Sequence, residues 1–403
     1  MSRLPVIIAG AGPTGSTLAL YLVTHGIPVV LLERRGSLSV DLRASTFHPI
    51  SLDLIAELDE WVIGRMLQKG LRVDRYQYRD RRTGETATFN MSQIAGETGH
   101  PFRLQLEQYE LTRLNCERLR QFKHADLRFG HEVTGYEEMA GGVAVTARTG
   151  GGEIPLKGAF VVSAEGARSR LRKQADIGFL GFTYEEKFLV VSTPFPFEDV
   201  FDDFSYVNYV ADPEEWCVVL RTDKVWRVLF PTTPETAHDE ALLLSDAFIQ
   251  ERLHRLYDKE GDYAIRHRSL YPVNQRVAEA YYKGRMALVG DACHINNPLG
   301  GMGMNGGIHD AFCLGGKFDR IFNRGDDYTE AFARYDRQRK DVAVRFVQAH
   351  TIRNKQLMES TDPDVQRKRQ KTLMETAADP EAAREFILDR AMINCYRDSV
   401  ATA

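Results

Sequence analysis

Hydrophobic positions open the chain in a run without alternation. Residues 5–9 read PVIIA, the pattern of a short strand buried on both faces. The run enters Gly10-Ala11-Gly12-Pro13-Thr14-Gly15, and a helix is predicted from about Pro13 to His25, with Leu18, Leu22 and Val23 on its apolar side. Gly26 ends that helix, and residues 28–33 (PVVLLE) form a second buried strand. The unit is β-α-β, which predicts a parallel sheet covered by helices. Helical periodicity returns over about Asp53–Leu71 and Glu107–Phe122. From about Phe188 to Pro231 the character changes to FLVVSTPF, FSYVNYV, EWCVVLRT and VWRVLFPT, broken by Pro, Asp and Asn. These runs predict an inserted antiparallel sheet. RMALVG (residues 285–290) returns to a buried strand, 306–356 is mainly helical, and the remainder reads as charged helical segments.

The predicted fold is therefore α/β: a Rossmann-like dinucleotide domain over 1–180 and 266–340, discontinuous in sequence. A β-rich domain at 181–265 interrupts it, and a helical segment closes the chain at 341–403. The 403 residues suit two closely packed domains, and 43% hydrophobic with 27% charged residues is an ordinary globular balance. A net charge of −4 gives no electrostatic case for nucleic acid. The five cysteines (116, 217, 293, 313 and 395) show neither CxxC nor zinc spacing, so no metal site and no disulfide framework is expected. No apolar run approaches the roughly 20 residues of a membrane span, and the N-terminus leaves no room for a signal peptide. A cytoplasmic location is the expectation, with the assembly, monomer or homodimer, left open.

The chemistry starts at GAGPTG. A pyrophosphate needs backbone N–H groups at close range: Gly10 makes the turn, Gly12 lets the backbone approach, and Gly15 packs helix on strand. The helix N-terminus adds partial positive charge. Glu33, 18 residues beyond Gly15 at the end of the second strand, is placed to accept ribose hydroxyls. This unit alone suits NAD as well as FAD. The second signal lies nearly 280 residues downstream, where RMALVGDACH ends a strand in Gly290-Asp291 and NNPLGGMGMNGGIHDA opens a helix. Amides at that helix start suit the electron-rich edge of a reduced flavin.

In these segments together the sequence resembles the para-hydroxybenzoate hydroxylase family, the class A flavoprotein monooxygenases. GAGPTG with Glu33 is similar to the family's ADP-binding fingerprint. Arg43 in DLRAS and Gln108 in LEQYELTRL match positions that contact FAD. Residues 165–172, EGARSRLR, resemble the family's DGxxSxxR motif, with Glu165 in place of its Asp. GDACHINNPLGGMGMN resembles the GD fingerprint. The resemblance implies an FAD-binding set of Gly10, Gly12, Pro13, Thr14, Gly15, Glu33, Arg34, Arg43, Gln108, Glu165, Asp291, Pro298, Gly301, Gly303, Met304 and Asn305. It also implies NADH or NADPH as co-substrate, docked without a dinucleotide domain of its own.

The activity it implies is hydroxylation of a small aromatic or N-heteroaromatic substrate by O₂ through a flavin C4a-hydroperoxide. A related FAD epoxidase or reductase, or a non-enzymatic flavoprotein, are the alternatives. Pro298 is the expected rigid wall beside the reactive flavin edge, although a turn proline reads the same way. His48 is the candidate base facing the substrate, and a histidine capping the turn before Pro49 is the plainer reading. The resemblance makes the inserted domain at 181–265 the substrate-binding domain, so Tyr206, Tyr209 and Arg221, with Arg227, on its strands are candidate substrate contacts. Such residues also commonly face solvent. Trp216 and Trp226 read as core or cavity wall.

Overall fold

The computed structural model describes residues 3–40, 42 and 44–402. The glycine turn sits at the centre of a six-stranded sheet. In spatial order its strands are Tyr282–Lys283, Met286–Leu288, Phe160–Ser163, Val6–Ala9, Val29–Glu33 and Ala125–Phe129. All neighbours run parallel except the short 282–283/286–288 pair. Val6–Ala9 is buried at every position, as its non-alternating sequence requires. The helices Pro13–Thr24, Gln108–Leu119 and Met302–Asp319 pack together over this sheet.

The second large sheet has eight strands. Its order is His294–Ile295, His267–Ala278, Phe179–Thr193, Trp226–Pro231, Cys217–Arg221, Val207–Ala211, Arg75–Asp80 and Thr86–Asn90. It is antiparallel except where Val207–Ala211 lies parallel to Arg75–Asp80. The four β-rich sequence runs all fall within it, joined by strands from both sides in the chain. Helix Asp246–Leu256 covers one face, over a core containing Trp226, Val228, Phe230 and Ile249.

The helix predicted over about 53–71 is two helices, Pro49–Leu58 and Glu60–Lys69. Asp59 breaks the path with extended backbone (φ −158°), and its carboxylate accepts the Val62 amide at 3.0 Å, capping the second helix. The other Asp59 oxygen accepts Arg118 Nε at 2.6 Å, which fixes the corner against helix Gln108–Leu119. C-terminal helices Pro363–Ala378, Pro380–Arg390 and Ile393–Ala401 close the chain. Among the described residues, no helix is long and apolar enough to cross a membrane.

Candidate functional site

Gly10 adopts φ +108°, and its amide donates to the Leu32 carbonyl at 2.7 Å. A Cβ there would stand 2.4 Å from the Ala164 carbonyl oxygen, and one on Gly15 would stand 2.0 Å from the Gly10 carbonyl oxygen. The turn therefore excludes side chains at both positions. Gly12 differs, since a Cβ there would have nothing within 4 Å. It leaves bare backbone at the start of helix Pro13–Thr24, whose first-turn amides lack intrahelical acceptors. Glu33 Oε2 accepts the Ala11 amide and Oε1 the Arg35 amide, both at 3.0 Å. The carboxylate is thus fastened beside the turn, with Arg34 exposed next to it.

The GD segment meets this turn directly. Gly290 adopts φ +62°, and a Cβ on it would lie 2.7 Å from Thr14 Oγ1. Asp291 follows as an exposed residue. Arg172 ties in the third segment: Nη1 donates to the Ala292 carbonyl at 2.9 Å and Nη2 to that of Ala167 at 2.8 Å. Glu165 Oε2 accepts Ser163 Oγ and Ser169 Oγ at 2.9 Å and the Leu171 amide at 3.0 Å. The longer carboxylate that departs from the family motif is turned inward onto its own loop. Gln108 begins its helix beside the 44–48 segment, its amide donating to the Ala44 carbonyl at 3.0 Å. Arg43 lies outside the described residues.

Behind the GD turn, His294 belongs to a buried cluster whose other members, Asp310 and Arg339, the sequence did not single out. Asp310 Oδ2 accepts the Gly290 amide at 3.1 Å and lies 2.8 Å from His294 Nε2, while Oδ1 accepts Arg339 Nε at 2.6 Å. All three side chains are buried. Burial alone would raise the Asp310 pKa, but His294 and Arg339 outweigh it and hold the carboxyl below the usual carboxylate range. The sequence signal for Asp310 was an acid in the middle of a glycine-rich helix, between apolar Ile308 and Ala311.

Pro298 through Gly301 form the turn before helix Met302–Asp319, closed by the Gly301 amide donating to the Pro298 carbonyl at 3.0 Å. Gly303 sits in the first helical turn. Met304 is buried in the core, so its backbone is what it can offer a ligand. Asn305 is fully buried and engaged, donating from Nδ2 to the carbonyls of Thr46 (2.9 Å) and Gly301 (2.7 Å) and accepting the His48 amide at 2.9 Å. It locks the 46–48 segment to the helix start.

A cavity of about 50 Å³ lies against this turn, walled by Pro298–Gly301, Thr46, Arg103 and one face of the large sheet. Tyr209 is on that face, with Val207, Val218, Leu220 and Leu229. Tyr206 and Arg221 are not brought to it. Side chains alternate across a strand, and Arg221 shares the parity of Cys217 and Val219, which face the core on the other side. Its guanidinium pairs with Glu198 at 3.4 Å, and the Tyr206 ring packs edge-on to Trp226 at 6.1 Å. Arg227 has the cavity-side parity and is a buried partner of Glu107 at 2.7 Å.

His48 is fully buried, with Nε2 2.8 Å from the Gly300 carbonyl oxygen. That oxygen can only accept, so Nε2 carries the proton, and Nδ1 is buried without a partner. Burial, reinforced by Arg103, lowers the His48 pKa to about 3. The ring is therefore neutral at neutral pH, a weak proton acceptor, and oriented to brace Gly300. It makes no side-chain cap on helix Pro49–Leu58.

This arrangement fits FAD. Open backbone at Gly12, the fastened Glu33 and an exposed Asp291 next to Gly290 converge at the carboxyl ends of the parallel strands, while the turn at 298–301 lines the cavity. The chain belongs to the family described as the FAD binding domain, whose model matches residues 3–350. It is an FAD-dependent monooxygenase of the aromatic-hydroxylase type. Among its relatives, para-nitrophenol 4-monooxygenase of Pseudomonas sp. (strain WBC-3) is 28% identical, over 97% of this chain and 96% of that one. The 6-hydroxy-3-succinoylpyridine 3-monooxygenase of Pseudomonas putida (strain DSM 28022 / S16) is 29% identical, over 84% and 85%. The crystal structure of p-nitrophenol 4-monooxygenase from Pseudomonas putida DLL-E4 superposes with a TM-score of 0.89 at 26% identity, covering 98% of this chain and 99% of that one.

Proposed function

We propose that this monooxygenase hydroxylates a small phenol or hydroxylated N-heteroaromatic ring, taking its electrons from NADH or NADPH. One oxygen atom of O₂ would enter the ring and the other would leave as water, with one NAD(P)H oxidised per turnover. The observation that carries the reading is the cavity beside Pro298–Gly301: an apolar, sheet-roofed space against the turn that leads from the GD segment into helix Met302–Asp319.

Bound FAD supplies the electron transfer and oxygen activation. The protein's part is binding and exclusion. Gly10–Gly15 and Glu33 would hold the adenine-nucleotide half, with Arg34 beside Glu33; Gln108, and Arg43 by its match to the family position, would meet phosphate or ribityl groups, and Asp291 a ribityl hydroxyl. First-turn amides of 302–304 offer N–H groups to negative charge on the ring system. Pro298 contributes a donor-free wall, and His48 holds Gly300 in place without exchanging a proton. Tyr209 and the apolar side chains of the sheet keep water from the reacting ring.

The test is a visible spectrum of the purified protein, followed by NADH and NADPH oxidation with phenols and hydroxypyridines, and ¹⁸O₂ labelling of the product. Substrate-stimulated oxidation with a single labelled oxygen in the ring is expected. Yellow protein that reduces or epoxidises without hydroxylating would displace this reading.

A further inference from the structure

The cavity's walls are apolar apart from Thr46, Tyr209, backbone and one cation. That cation, Arg103, is 3% exposed on the short strand Arg103–Gln105. Its guanidinium lies over the Tyr76 ring at 4.1 Å and beside the Tyr209 phenol. Among the described residues no carboxylate pairs with it, and its buried Nε–H has no hydrogen-bond partner. Every other deeply buried arginine here is answered: Arg227 by Glu107, Arg339 by Asp310, and Arg172 by two carbonyls. A buried cation lacking an anion is costly, and the cost is offset when a ligand brings the anion.

We infer that Arg103 is the substrate-selecting residue, and that the cavity takes an aromatic ring carrying an oxyanion, a carboxylate or a phenolate. The inference rests on the proposed hydroxylase reading and adds the charge of its substrate. A planar guanidinium on the cavity wall suits an oxygen anion through charge-assisted hydrogen bonds. The surrounding Val207, Val218, Leu220 and Leu229 supply no competing polar partner and keep the local dielectric low, which strengthens the pairing. Tyr76 and Tyr209 hold the guanidinium plane from its sides, so little ordering remains to be done on binding.

Matched ligand pairs test this on the FAD-loaded enzyme by calorimetry and by flavin difference spectra. 4-Hydroxybenzoate against 4-hydroxybenzamide reports a carboxylate; 4-nitrophenol against 4-nitroanisole reports a phenolate, whose yellow colour also reveals the bound protonation state. The charged member of at least one pair is expected to bind about tenfold tighter or better. Arg103→Met is expected to erase that preference while keeping its FAD spectrum, and Arg103→Lys to keep part of it. Equal binding within both pairs by yellow, folded wild-type enzyme would overturn the inference, as would an Arg103→Met enzyme that keeps the preference. The wild-type comparison decides the matter even if the Met variant does not fold. Failure of the hydroxylase reading would show separately, as absence of ring hydroxylation by enzyme that still discriminates between the pairs.

Discussion

Arg339 Nε donates to Asp310 Oδ1 across 2.6 Å, with both side chains sealed from solvent. The pair stands directly behind the GD turn, because the other Asp310 oxygen accepts the Gly290 amide. Removing one partner strands a buried charge. Arg339→Met is therefore expected to cost about 3–5 kcal/mol of folding stability, measured by urea unfolding, and to weaken FAD retention through the released turn. A loss below about 1 kcal/mol would show that the buried pair is not stabilising the fold.

The two glycines at the ends of Gly10-Ala11-Gly12 separate fold from binding. Gly10→Ala forces a Cβ against the Ala164 carbonyl at φ +108°, and should destabilise by about 1–3 kcal/mol. Gly12→Ala meets no atom of the protein. Its melting temperature without cofactor should stay near that of the parent, while FAD affinity falls about tenfold (~1.4 kcal/mol). Thermal melts with and without FAD distinguish the two.

His48 makes stability depend on pH. In the unfolded chain its imidazole takes up a proton near 6.5, whereas in the fold it does so only near 3. Between those values the unfolded state binds the extra proton, so stability falls as pH falls, by up to about 1.4 kcal/mol per unit from this residue. His309, whose pKa burial and Arg339 also push down, adds in the same direction. Urea unfolding between pH 7 and pH 4 should show this slope, reduced by about one proton in His48→Asn. An unchanged slope would mean that the ring is protonated in the folded state.

Arg221→Ala should leave substrate KM within about twofold, because its side chain lies across the sheet from the cavity, and cost at most about 1 kcal/mol through the lost Glu198 pair. A large KM rise would relocate the substrate to the other face.

The β-α-β unit, its glycines and Glu33, and the GD and 165–172 segments were legible in the sequence because each acts through local backbone geometry. A turn that excludes Cβ or a helix that starts on glycine writes itself into consecutive residues. Buried strands likewise announce themselves by unbroken apolar runs. Which face of the large sheet meets the cavity was not legible. Tyr206, Tyr209 and Arg221 looked equivalent until strand register placed Tyr209 inward and Arg221 outward, a choice made by packing against helix Asp246–Leu256. His48 stood out in sequence as a base, and only its burial against Gly300 and Arg103 makes it neutral. Arg103, Asp310 and Arg339 carry no motif at all. Their importance comes from the low-polarity surroundings that distant segments assemble around them, and the strength of a charge is set by what encloses it.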